Sequence, residues 1–201
     1  MTDVIESAAL AALAGELIVL PTDTVYGIGT RPDDAEATAR LFRAKGRPPD
    51  LRLPVLVASV AEARWISAFD ERAQVLAMRF WAGALTLVLP RTDASARWDL
   101  GAGTATIAVR MPHHPLALAL LARTGPLAVT SANRTGQPTP DTCEGLQDVF
   151  GDLVAAYLCE QEPHSGSPST VVDLSGPELT VLRIGSIDEA AIRSALGGDY
   201  S

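Results

Sequence analysis

The chain has 201 residues, 47% of them hydrophobic, enough for one large domain or two very small ones and enough to bury a core without covalent staples. Its 24 acidic and 16 basic residues leave a net charge of −8, a deficit that argues against tight non-specific binding to RNA or DNA. Two cysteines, Cys143 and Cys159, are too few for a disulfide framework and too far apart for a C-x-x-C site, so buried or neutral thiols in a reducing cytoplasm are expected.

At the N-terminus, Asp3 and Glu6 mark a helix start and Gly15 its end. This stretch has no basic n-region and acidic residues interrupt its alanines, so no signal peptide is expected. Nor does any apolar run approach membrane-spanning length, and the expectation is a soluble, cytoplasmic protein. "ELIVLP" reads as a buried strand and "VYGIGT" as its extended continuation. "DDAEATARLFRAK" is a short amphipathic helix, with Asp33 as candidate N-cap and Lys45 near its end. "LPVLVAS" predicts a strand, followed by helices around "VAEARWI" and "ERAQVLAMRFW". "LTLVLP" and "TIAVRMP" are strands on either side of a small-residue loop at 92–105. "HPLALALLARTG" is a helix, "PLAVTSAN" a strand running into a polar turn, and "DTCEGLQDVFG" a helix. "LVAAYL", "STVVDLS" and "LTVLRIG" are strands, with the flexible-looking "EQEPHSGSP" between the first two, and "DEAAIRSAL" closes the chain as a helix. Strands and helices alternate without a repeat. The prediction is one α/β domain over residues 1–201, a twisted mixed β-sheet with flanking helices.

The strand ends carry the candidate chemistry. In "LPTDTVYGIG" the hydroxyls of Thr22, Thr24 and Tyr26 fall at every second position, which puts them on one face of an extended chain. Arg110 interrupts the apolar residues Ile107, Ala108, Val109 and Met111, so once buried it must be paired. It could take a ligand carboxylate in bidentate fashion, or a structural salt bridge. Thr130, Ser131 and Asn133 follow one strand, and Ser169, Thr170 and Arg183 attend two others. Any one such cluster reads equally as N-caps and turns; four together describe a ligand pocket at strand ends. In "RAKGRPPDLRLP", Lys45 and Arg47 stand two apart where a helix stops, a spacing that suits polyphosphate oxygens or simply the helix dipole. P-loop, Rossmann, G-x-S-x-G and H-E-x-x-H patterns are missing, and His113-His114 lies between prolines.

In order along the chain, "PTDTVYGIG", "KGR", "AVRMPHHP", "TSANRTGQP", "SPSTVVD" and "LRIG" resemble the YrdC family, in particular the single-domain threonylcarbamoyl-AMP synthases of bacteria. The resemblance spans about residues 4–187, and the end shortly after "LRIG" matches the short form. It implies a reaction in which L-threonine, bicarbonate or CO2, and ATP give threonylcarbamoyl-AMP and pyrophosphate. That product goes to downstream proteins that make threonylcarbamoyladenosine in tRNA. Carried over, Lys45 and Arg47 would hold ATP phosphates, and Ser131 and Asn133 would be shared between threonine and ATP. Thr22, Arg110 and Ser169 would grip threonine, Arg183 would face the nucleotide, and Thr106 and the Thr139–Asp141 turn would lie near it. No protein nucleophile is implied, because the threonine carbamate attacks the α-phosphorus, with Mg²⁺ bridging phosphates.

Two departures stand out: Trp81-Ala82-Gly83-Ala84 where many members have W-P-G-P, and Ala58 where many carry a histidine. The second keeps open a paralogue that activates another carbamate. An RNA-binding module is the other alternative, with the acidic balance against it.

Overall fold

The computed structural model describes residues 2–46, 51–103, 105–160 and 166–197. Nine strands form one sheet: β1 (Ile18–Leu20), β2 (Gly27–Thr30), β3 (Val55–Leu56), β4 (Leu85–Pro90), β5 (Thr106–Arg110), β6 (Leu127–Ser131), β7 (Ala156–Tyr157), β8 (Thr170–Asp173) and β9 (Thr180–Arg183). Their order across the sheet is β7-β1-β2-β6-β3-β5-β4-β8-β9. The pairs β1–β7, β3–β5 and β4–β8 run parallel and the other five antiparallel, which makes the sheet mixed, as expected.

Among the described residues seven α-helices flank it: α1 (Thr2–Leu13), α2 (Ala35–Lys45), α3 (Val60–Ile66), α4 (Glu71–Phe80), α5 (Pro115–Thr124), α6 (Cys143–Phe150) and α7 (Glu189–Ala195). Strand alternation decides which helices cover which face. Ile18, Leu20, Leu56, Leu127 and Val129 bury against α1 and α5. Val19, Val55, Ile107, Val109 and Ala128 bury on the other face against α2, α3 and α6. On that second face Leu85, Leu87, Leu89 and Val172 pack on α4 and α7. On the first face α1 and α5 reach only part of the sheet, so Arg110 on β5 and Thr86 on β4 line a cavity there rather than a helix.

Local chemistry sets most boundaries. Asp34, Ser59, Asp70, Thr142 and Asp188 cap α2, α3, α4, α6 and α7 through their side chains. For α2 the expected cap was Asp33, but that carboxylate is held by Arg31 at 2.7 Å, and Asp34 accepts from Glu36 N and Ala37 N instead. The strand expected over "LPVLVAS" is short because Ala58 N donates to Glu62 Oε2 and Ser59 already caps α3.

Two further expectations are corrected. Residues 21–26 are not extended: Leu20 pairs with Gly27, so they form the connection of an antiparallel β1–β2 pair. Thr22 Oγ1 donates to Val25 O at 2.7 Å and accepts from Thr24 N and Val25 N, a local side-chain turn that displaces ladder bonding. Thr22 and Thr24 hydroxyls therefore meet each other at 2.9 Å, while the Tyr26 hydroxyl accepts from Glu160 N at 3.0 Å. Gly166 packs on this bend so closely that a Cβ there would lie 2.0 Å from Thr24 O. The second correction concerns the cysteines, which are joined rather than free. Cys143 opens α6, Cys159 follows β7, and their Cα atoms stand 5.6 Å apart in a disulfide.

Candidate active site

A cavity of about 400 Å³, within the range of small-molecule sites, crosses seven adjacent strands from β2 to β9. Its residues at or within one residue of a strand end include Gly27, Ser131, Leu56, Arg110, Thr86, Ser169 and Arg183. Thr22 and Thr24 form one wall and the loop through Gln137, Pro138 and Thr139 another. Gly27 keeps the floor thin, since a Cβ on it would meet Val129 Cγ1 at 2.5 Å.

Arg110 is the most buried cation facing the cavity. Its Nε donates to Gly83 O at 3.0 Å, Nη1 to Thr24 Oγ1 at 2.8 Å and Nη2 to Asp23 Oδ1 at 2.7 Å. The same Asp23 oxygen accepts from His113 N at 2.8 Å, tying the bend to the segment after β5. These bonds use three of the five guanidinium donors, leaving two for a ligand. Arg183, on the edge strand, donates from Nε and Nη2 to Ser169 O at 3.0 and 2.8 Å and from Nη2 to Ser169 Oγ at 3.1 Å. Ser169 Oγ in turn meets Thr86 Oγ1 at 2.9 Å.

Burial lowers the pKa of Arg110; Asp23 opposes this, and the like charge of Arg183 lowers it further. Arg183 is lowered by its own loss of solvent. Two guanidiniums that feel each other across one cavity, with one carboxylate bonded to Arg110, make the space attractive to anions.

The Ser131–Asn133 turn closes the third side. Ser131 Oγ donates to Asn133 Oδ1 at 2.5 Å, and Asn133 Nδ2 donates to Arg134 O at 2.9 Å and Gln137 O at 2.7 Å. Under the turn lies Lys45, only 2% exposed, whose Nζ donates to Ser131 O and, at 2.7 Å, to Asn133 O.

Ten of the residues singled out from sequence line this one cavity: Thr22, Thr24, Tyr26, Arg110, Thr130, Ser131, Asn133, Thr139, Ser169 and Arg183. Lys45 lies behind its lining. Thr106 starts β5, four residues before Arg110, and its hydroxyl accepts from Arg52. Asp141 is exposed two residues beyond Thr139, and Arg47 falls outside the described residues. Sequence reasoning passed over Thr86, although a lone threonine in "LTLVLP" is the same kind of signal as the lone arginine in "TIAVRMP". It also looked to Ala58 for a pocket position; Leu56, the register partner of Arg110, is the residue that faces the cavity. Among the described residues no group of three or more His, Cys, Asp or Glu could hold a metal ion.

A family profile named Sua5_yciO_yrdC and described as "Telomere recombination" matches residues 11–185. A Mycobacterium tuberculosis relative is 43% identical over 196 residues, covering 97% of this chain and 90% of its own length. The Bacillus subtilis threonylcarbamoyl-AMP synthase is 35% identical over 195 residues, covering 96% of this chain and 56% of that one. Among solved structures, Pyrococcus abyssi Sua5 complexed with L-threonine superposes with a TM-score of 0.90 at 37% identity, over 96% of this chain and 57% of that one. Escherichia coli YciO gives a TM-score of 0.86 at 27% identity, over 96% and 94%. The chain thus spans a little over half of the Sua5 length.

Proposed function

The chain belongs to the Sua5/YciO/YrdC family, and from that premise we propose that it is a nucleotidyltransferase making L-threonylcarbamoyl-AMP. Its substrates are L-threonine, bicarbonate or CO2, and ATP, and it releases pyrophosphate. The observation that carries this reading is the pair Arg110 and Arg183 in one polar-walled cavity. Threonine brings a carboxylate, ATP a polyphosphate, and the cavity offers a cation for each.

Arg110 takes the threonine carboxylate with the donors that Asp23, Thr24 and Gly83 leave over. Thr22, Ser131 and Ser169 supply hydroxyls for the rest of the amino acid. Arg47, Asn133 and Arg183 are assigned to the nucleotide, with Thr106 and Asp141 farther out. A carbamate oxygen of N-carboxythreonine attacks the α-phosphorus; the new O–P bond forms as the bond to the β-phosphate oxygen breaks, and pyrophosphate leaves with that electron pair. The side chains orient the two anions and neutralise charge that develops on the phosphoryl oxygens. Mg²⁺ enters as the ATP complex and is part of the substrate.

We assign the first step to this protein alone, in the cytoplasm, and transfer to tRNA to other proteins. Among the described residues no helix is long and apolar enough to cross a membrane. The test incubates the purified chain with ATP, labelled bicarbonate and a panel of amino acids, with and without unmodified tRNA. Pyrophosphate release with threonine and no tRNA is expected. Release only with tRNA, or label on tRNA with this protein alone, refutes the assignment.

A further inference from the structure

We propose that Lys45 is a positioning residue that sets the Ser131–Asn133 turn from behind and touches no substrate. The proposal deepens the functional reading above and rests on it for the identity of the ligands. A lysine two residues from an arginine at a helix end invites a role on phosphates, but the geometry gives this ammonium other work.

Lys45 is the last residue of α2, and Gly46 beyond it takes a left-handed conformation that turns the chain away. The stem runs inward, leaving 2% of the residue exposed. Its Nζ donates to Ser131 O and to Asn133 O, and lies 3.4 Å from Asn133 Oδ1. In the reverse direction Lys45 O accepts from Thr135 N at 3.0 Å. One residue of α2 is thus bonded to Ser131 at the end of β6 and to Asn133 and Thr135 in the turn beyond it, 86 to 90 positions later in the chain.

Two carbonyl oxygens aimed at a common point repel unless a donor stands between them. A cation there makes that arrangement the favourable one and itself needs those acceptors once buried. With Oδ1 of Asn133 directed towards Lys45 and Ser131 Oγ, its Nδ2 is directed towards Arg134 O and Gln137 O. Gln137 and Thr139 belong to the cavity wall, and the Thr139 hydroxyl lies 3.5 Å from the same Oδ1. The ammonium therefore determines where the Ser131 hydroxyl points and where that wall stands, while the cavity lining itself includes Ser131 and Asn133 but not Lys45.

A phosphate contact and a positioning role differ in what they do to threonine. The experiment measures threonine binding by calorimetry without ATP for the wild type, Lys45→Met, Asn133→Ala and the double variant. The positioning role predicts at least about tenfold weaker threonine binding for Lys45→Met. It also predicts less than about threefold further change when Lys45→Met is added to Asn133→Ala, since both act through one turn. Unchanged threonine affinity, or losses that multiply, overturns the proposal, because general destabilisation gives no such coupling. If Lys45→Met does not fold, Lys45→Gln enters the cycle in its place. If the wild type fails to bind threonine, the functional reading falls, and amide exchange then decides the positioning role: faster exchange confined to residues 132–137 in the variant supports it, and an unchanged pattern overturns it.

Discussion

Arg110→Ala removes a guanidinium that holds three separate pieces of chain, and the structure sets the size of the loss. The deletion breaks bonds to Gly83 O, Thr24 Oγ1 and Asp23 Oδ1 and leaves the Asp23 carboxylate partly stranded. The side chains of the ion pair are 7% and 17% exposed, so solvent screens it little. Removing one member of a buried pair costs about 3–5 kcal/mol. Asp23 keeps its bond from His113 N, which puts the expectation near the lower end, about 3 kcal/mol. For a chain of this size that is a melting-temperature drop of roughly 6–12 °C. Arg110→Lys retains a charge for Asp23 but not the fork that also reaches Gly83 O and Thr24 Oγ1, so its loss is expected to be smaller than that of Arg110→Ala but not negligible. The assay is urea denaturation followed by tryptophan fluorescence, paired with calorimetric melting. A loss under about 0.5 kcal/mol for Arg110→Ala would refute the reasoning, since that is the scale of an ordinary surface substitution. In that event the guanidinium is held for the ligand alone and the bend stands without it.

The Cys143–Cys159 bridge closes a stretch with a sequence separation of 16, so Cys143→Ser with Cys159→Ser is expected to lower stability by about 3 kcal/mol. Thiol titration of the unfolded, unreduced protein should find none, and two reactive thiols would contradict the bridge. Burial raises the Tyr26 pKa, so the folded state disfavours its phenolate. The stability held by the neutral phenol is complete below the unfolded value of about 10 and is lost as pH rises through the folded value. Tyr26→Phe should flatten the fall in melting temperature above about pH 10, and the same alkaline slope in both proteins would count against it.

Much of the fold could be read from local pattern because its causes are local. "VAEARWI" is α3 to the residue, since a serine cap precedes it and an apolar stripe runs through it. Arg110 was legible because a cation in an apolar strand must have a reason. What could not be read depends on pairing distant in sequence. Hydroxyls two apart suggested one extended face, but the turn bonds made by Thr22 Oγ1 outweighed strand geometry. A sequence separation of 16 says nothing of a 5.6 Å Cα distance between the start of α6 and the residue beyond β7. The end of α2 indicated a cation; only the neighbouring β6 turn shows what Lys45 holds.

The sheet order has a consequence for the timing of synthesis. The strands that frame the cavity are neighbours in the sheet but appear from the ribosome as second, sixth, third, fifth, fourth, eighth and ninth. The binding groups are spread from Thr22 to Arg183 along the chain. Arg110 can meet Arg183 only after the last strand has emerged and closed on β8, and β8 must itself pair with β4 across a long sequence separation, Leu85 with Thr170. A ribosome stalled before residue 180 therefore carries a polypeptide with Thr22, Arg110 and Ser131 already translated, yet with no second cation and an edge of the sheet missing. A fragment that ends before β9 therefore lacks Arg183 and the strand that carries it, and it is expected to bind ligand more weakly than a chain that runs through residue 183.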